Sequence, residues 1–265
     1  MGTSRRTKQR EMKKNLLAAG IVLVFAIVVF SINSVGKFMA QKVIDPIMNI
    51  GSKQEGKVST ETVSCDKTEM FLVSAGLFEE KAEADATVKN ITASGGGGYC
   101  LKTDSGYHVI YSCYQDKASA DIKAQELKTA FDKTTVVTLK IDKISLKITG
   151  TGEQTEAIRK TFEFLSSATA KLSEIGAKVA SDELAPLKAC QELQQLMSGQ
   201  VECEEALSVL ESSNATVVSL KDMMALSKTL FAELPQSSDV DFNQKINYVS
   251  CAFACEYIKF CSDLE

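Results

Sequence analysis

Between residues 70 and 150 the apolar positions of the chain alternate between two spacings. "MFLVSAGLF" (70–78) is a short apolar run and predicts a strand. "EEKAEADATVKNITAS" (79–94) places Ala84, Val88 and Ile91 at helical spacing, with acids in its first turn, where the helix dipole favours them. The tetraglycine 95–98 ends that helix. "YCLKT" (99–103) and "YHVIYSCY" (107–114) flank Asp104-Ser105-Gly106, a hairpin signal. Ala120, Ala124, Leu127 and Phe131 form one stripe of a second helix, and "TTVVTLKI" (134–141) predicts the next strand. The order β-α-β-β-α-β implies an antiparallel sheet with both helices on one face and the other face uncovered. In "DKISLKITG" (142–150), Ile144, Leu146 and Ile148 alternate, but out of phase with Leu139 and Ile141. That change of phase requires a bulge near Lys143 or a fifth strand.

Beyond residue 151 the period is helical throughout. Residues 153–179 read as one helix, "PLKACQELQQLM" (186–197) as a second, "VECEEALSVLE" (201–211) as a short one after Gly199, and "TVVSLKDMMALSKTLFAEL" (216–234) as a fourth. In the last, Phe242, Ile246, Val249, Phe253, Tyr257 and Phe260 share a stripe, and Asp241 with Gln244 resembles a capping box. The expected architecture is α+β: a βαββαβ domain over 65–150, then an antiparallel helical bundle over 151–265.

The N-terminal end changes the picture. "LLAAGIVLVFAIVVFSI" (16–32) carries neither charge nor proline, and a few more residues extend it to the roughly 20 that a membrane-spanning helix needs. Arg5, Arg6, Lys8, Arg10, Lys13 and Lys14 precede it against a single acid, Glu11. Such a basic flank places the N-terminus in the cytoplasm and everything beyond the span outside. The organisation expected is therefore a cytoplasmic basic segment (1–14), a transmembrane helix (15–37) and a linker (38–64) ahead of the two folded parts. A cleaved signal peptide would have a shorter core and a small-x-small site, of which "SVGKFMAQK" is a poor example. Arg6 stands where N-myristoylation wants Ser or Thr.

Composition then narrows the function. The chain has 265 residues, 45% hydrophobic and 24% charged, and a net charge of −4 despite its basic head. An acidic body is a poor partner for nucleic acid. His108 is the one histidine, with no acid–base constellation around it in sequence. The tetraglycine lacks the Lys-Ser/Thr of a phosphate loop and follows a helix. No cofactor is expected, and no enzymatic activity. A hairpin centred on Asp104–Ser105 puts Cys100 opposite Val109. Cys113 is then offset by about 13 Å, too far for a disulfide. Cys251 and Cys255 point away from the Phe242–Phe260 stripe, which leaves open a second buried face or sulfur pairing, with Cys190 or Cys203 as possible partners. Zinc would need four ligands, and these spacings match no finger. No metal is expected.

Two stretches carry a family resemblance. In "FLVSAGLF" (71–78), Val73, Gly76 and Phe78 fit the first-strand pattern aromatic-x-V-Q-x-G-S-F, with Ser74 at the Gln position. In "HVIYSCYQDKASAD" (108–121), Val109, Tyr114 and Ala120 fit R-V-x-V-G-P-F-x-x-x-x-x-A, with His108 at the Arg position and Ser112-Cys113 at Gly-Pro. Residues 69–142 thus resemble SPOR domains, the peptidoglycan-binding modules of bacterial division and sporulation proteins, which have a ferredoxin-like fold and often follow a membrane anchor. The resemblance implies binding of denuded glycan strands across the helix-free sheet face. It places Ser74, His108, Ile110 and Val136 on that face, with Val73, Ala75, Val109, Val137 and Leu139 toward the helices. It makes the expected function that of a membrane-anchored, extracytoplasmic glycan-strand binder in division or sporulation, with the bundle as spacer or partner module. Two other readings stand beside it: a scaffold whose fold docks a protein instead of glycan, and an enzyme using carboxylates of the helical part.

Overall fold

The computed structural model describes residues 48–49, 57–211, 214–237 and 240–264. The expected transmembrane helix and basic segment lie outside them, as does most of the expected linker. Among the described residues no helix is long and apolar enough to cross a membrane. Residues 47–265 form one compact unit. The fold is mixed α+β, with two sheets and, among the described residues, six helices.

The larger sheet contains β3 (Thr68–Phe78), β4 (Tyr99–Thr103), β5 (Gly106–Tyr114) and β6 (Thr135–Ile141), in the order β4-β5-β3-β6, every neighbouring pair antiparallel. Helices α1 (Lys81–Ala93) and α2 (Lys117–Leu127) connect β3 to β4 and β5 to β6. Cys100 lies opposite Val109, the register expected from the hairpin. Helix α2 starts where the Asp116 carboxylate accepts the Ser119 amide at 2.8 Å, satisfying one of the free donors of the first turn. Ala84 and Ile91 of α1 and Ala120, Ala124 and Leu127 of α2 pack with Val73, Ala75, Val109 and Tyr111 in one core cluster.

The smaller sheet was not expected. It pairs β2 (Val58–Cys65) antiparallel with β7 (Ile144–Thr151), and β1 (Met48–Asn49) adds a short parallel edge. The change of phase after Ile141 thus marks a new strand in a new sheet. Residues 58–64, expected as linker, are strand. Only Val63 and Cys65 of β2 are buried; the remaining positions face solvent.

The helical part comprises α3 (Gly152–Ala180), α4 (Pro186–Ser208), α5 (Ala215–Ala232) and α6 (Phe242–Ser262). Helix α4 does not break after Gly199 as expected. A Cβ there would sit 3.1 Å from the Phe164 ring, so the glycine lets α3 and α4 approach without ending the helix. Asp241 is no capping-box residue: it makes no side-chain cap bond and instead pairs with Lys245 at 3.0 Å.

The boundary expected at residue 150 does not separate two cores. Met70, Leu72, Ile110, Cys113 and Ile141 of the large sheet belong to the same cluster as Val63 and Leu146 of the small one and as Phe162, Phe231, Phe253 and Tyr257 of the helices. Helix α6 is the hub. Fourteen of its 21 residues are buried, more than one stripe can account for. One face carries Phe253 against Phe231, ring centroids 5.3 Å apart, and Phe260 against Phe162 at 5.8 Å. The opposite face carries Asn247, Cys251 and Cys255 and lies on the large sheet.

Candidate functional site

The sheet face opposite α1 and α2 is where the resemblance places ligand binding. It is not open. Helix α6 lies across it and is anchored at three places. The Asn247 side-chain amide donates to the Gly95 carbonyl at 2.9 Å, the Tyr99 hydroxyl donates to Glu256 Oε1 at 3.1 Å, and the Tyr99 and Tyr248 rings meet edge to face at 6.3 Å. Helix α3 adds a fourth tie, the Ser173 hydroxyl donating to the Cys113 carbonyl at 2.9 Å.

The tetraglycine makes this seating possible. Gly97 and Gly98 donate to the carbonyls of Tyr111 and Ile110, extending the β4–β5 pairing back past Tyr99. A Cβ at Gly97 would lie 2.8 Å from the Asn247 backbone, so only glycine lets α6 come this close.

Ser74, His108 and Ile110 do share the expected face. A register shift beside Ser74 sets it opposite Ile110, and its hydroxyl lies 3.1 Å from His108 Nδ1. The Ser74 hydroxyl also donates to the Gly76 carbonyl, which fixes the bulge. Ser74 and Ile110 have no exposed surface, however, so in this arrangement neither can touch a ligand. His108 is half-buried, and burial lowers its pKa.

Val136 belongs to the other face. It pairs with Val73 and packs with the α1–α2 cluster, while Val137 and Leu139 turn toward the helical core. Directly paired residues of antiparallel strands share a face, so the β3–β6 register assigns Val136 to Val73's side. The expected alignment of β6 was off by one residue.

None of the eight cysteines is in a disulfide in this structure, and seven are buried. Cys251 and Cys255 make the second buried face of α6, the first of the two readings left open by their spacing. Burial pushes their thiols well above the ordinary range and that of Cys113 to about 12. The Cys190 and Cys203 thiols face the carbonyls of Pro235 and Lys160. Among the described residues no group of His, Cys, Asp and Glu is placed to hold a metal ion.

Sequence reasoning missed Asn247, Tyr99 and Glu256, the residues that seat α6. A partial signal was present in α6, where Asn247 is an amide among mostly apolar buried positions. A separate shallow groove of about 340 Å³ lies between α2 and the end of α3, lined by Tyr114, Ile122, Lys123, Ala177 and Ser181. No family model, curated protein or solved structure matches the chain.

Proposed function

We propose that this chain is a membrane-tethered, extracytoplasmic interaction module without enzymatic activity, built on a ferredoxin-like, SPOR-type βαββαβ scaffold whose ligand is a protein rather than a glycan strand. One observation supports this reading above the others: α6 occupies the helix-free sheet face and leaves Ser74 and Ile110 with no exposed surface. A sugar chain needs hydroxyl and amide partners beside flat apolar surface, and here that surface is spent on the chain's own helix. The replacement of Gln by Ser74 and of Arg by His108 points the same way. Leu187, Val201 and Val209 are exposed apolar side chains of the helical part, available to a partner. The N-terminal anchor of the proposal rests on the apolar run at 16–32 and its basic flank.

Binding of denuded glycan strands in division or sporulation is the second reading. His108 favours it, because it pairs with the 40%-exposed Leu77 at an end of the sheet that still meets solvent. Co-sedimentation of the full chain in detergent with intact and with peptide-stripped peptidoglycan separates the two. The protein reading expects both pellets to be empty and site-directed cross-linkers on α4 to trap one defined protein at the cell surface. Selective recovery with the stripped material would overturn it in favour of glycan.

A further inference from the structure

The last strand of a sheet has backbone groups with no neighbour to bond, and natural proteins blunt such edges with charge, proline, a bulge or a cover. The edges of this molecule differ in how far that is done. β4 is five residues long, and α6 is seated beside it through Tyr99. β2 exposes Val58 to Thr62, mostly hydroxyl side chains with the charge of Glu61, groups that water satisfies. β6 has one lysine, Lys140, and no proline or glycine among its seven residues. Its rungs with β3 run from Thr68–Ile141 to Ser74–Thr135 without a register shift, so no bulge turns this edge aside. Among the described residues its outer side pairs with no strand, since β1 reaches only Ile148 and Thr149 of β7. Apolar side chains stand on both faces of β6. Val136 packs with the α1–α2 cluster, Val137 and Leu139 pack with the helical core, and all three are only half-buried.

We propose that β6 is a homodimer interface, pairing antiparallel with β6 of a second copy about a two-fold axis through Thr138. The occupant follows from the strand's own residues. An axis perpendicular to the sheet keeps like faces together, so it must pass through a residue and its copy. Centred on Thr138, it matches the whole strand: Thr135 with Ile141, Val136 with Lys140, Val137 with Leu139, and Thr138 with itself. Val137 and Leu139 then meet on the α6 face, on both sides of the axis. Thr138 meets its copy, a hydroxyl pair of the kind that stabilises sheets. Lys140 lies away from its own copy and lays its methylene stem beside Val136. An axis at Val137 would match only residues 135–139, and one at Lys140 would set like charges face to face. The product is a continuous eight-stranded sheet, four strands from each copy. A contact of one strand pair belongs with the small, transient interfaces below about 1,200 Å², so monomer and dimer exchange with concentration. The dimer does not depend on the ligand reading above.

Sedimentation velocity of the full chain in detergent, over a wide range of concentration, tests the dimer. The unaltered chain should pass from monomer to dimer as concentration rises. Thr138→Lys puts two like charges face to face at an exposed position. It should stay monomeric with an unchanged circular-dichroism spectrum. Cysteine cross-linking reads the register. Thr138 and its copy would stand about 5 Å apart, within disulfide reach, whereas Thr135 and its copy would be about 20 Å apart. On mild oxidation Thr138→Cys should give a covalent dimer. Thr135→Cys should not, nor should the unaltered chain, whose own cysteines are buried or half-buried. Monomer at every concentration, a dimer that Thr138→Lys leaves intact, or no cross-link through Thr138 overturns the proposal. The first of these would leave the edge to a strand of another protein.

Discussion

The side-chain amide of Asn247 donates to the carbonyl of Gly95 at 2.9 Å, joining residues 152 positions apart. This bond ties the start of α6 to the tetraglycine and helps hold the helix against the sheet. Asn247→Ala leaves the Gly95 carbonyl without that donor and should destabilise the fold by about 1–2 kcal/mol. Urea unfolding followed by circular dichroism measures it, and an unchanged midpoint would show that the bond adds nothing.

Gly97→Ala should cost more than Asn247→Ala. The added methyl meets α6 backbone at 2.8 Å, and backbone cannot rotate away as a side chain can. Overpacking of this kind costs about 1–3 kcal/mol or more. The two variants should also behave non-additively, because they act on one contact. A double-mutant cycle in urea reads the coupling.

Phe253 has no exposed surface and packs on Phe231 between α6 and α5. Phe253→Ala should cost about 3–5 kcal/mol. Since one core runs through sheets and helices, the loss should appear in a single transition. Separate melting of strand and helix signals would contradict the common core.

His108 gives the fold a pH dependence of known sign. Burial lowers its folded pKa below the ordinary 6.5, so the unfolded chain takes up the proton first. Stability is full above pH 6.5, falls as the pH drops below it, and levels off beneath the folded pKa. His108→Gln should remove this slope between pH 7.5 and 5.5, as followed by melting midpoint. The effect is small because the ring is partly exposed.

The Asp116 cap acts through a different group. The Ser119 backbone amide holds its carboxyl below the usual value of 3.8. Its contribution is present above that value and lost as the pH falls through the folded pKa. Asp116→Ala should lower stability by about 1 kcal/mol at pH 7, with Asp116→Ser recovering most of it.

The local elements were legible because their signals are local. Short apolar runs, turn residues and alternation located β3 to β7 to within about two residues, and the Asp104–Gly106 turn fixed the Cys100–Val109 register. The stripe of α6 named its core face, and the cysteines behind it left a second buried face as one of two readings. What stayed hidden depended on distant partners. Strand β2 buries only Val63 and Cys65, so it shows too little alternation to be noticed, and its partner β7 begins some 80 residues later. The face of Val136 depends on pairing with Val73, which the isolated strand does not encode. Whether a sheet face stays bare is decided by a helix more than a hundred residues downstream.

The pairing of β2 with β7 has a mechanical consequence. Eight successive residues, Val58 to Cys65, are matched antiparallel to Thr151 to Ile144, and β7 runs directly into the 29-residue α3. Val58 lies opposite Thr151, so the leading end of β2 and the exit of β7 into α3 sit at the same end of the ladder, and tension between them peels the rungs one after another from Val58 toward Cys65. The ribbon that first looks like slack chain is thus a graded fastening, released rung by rung before load reaches the body of the molecule.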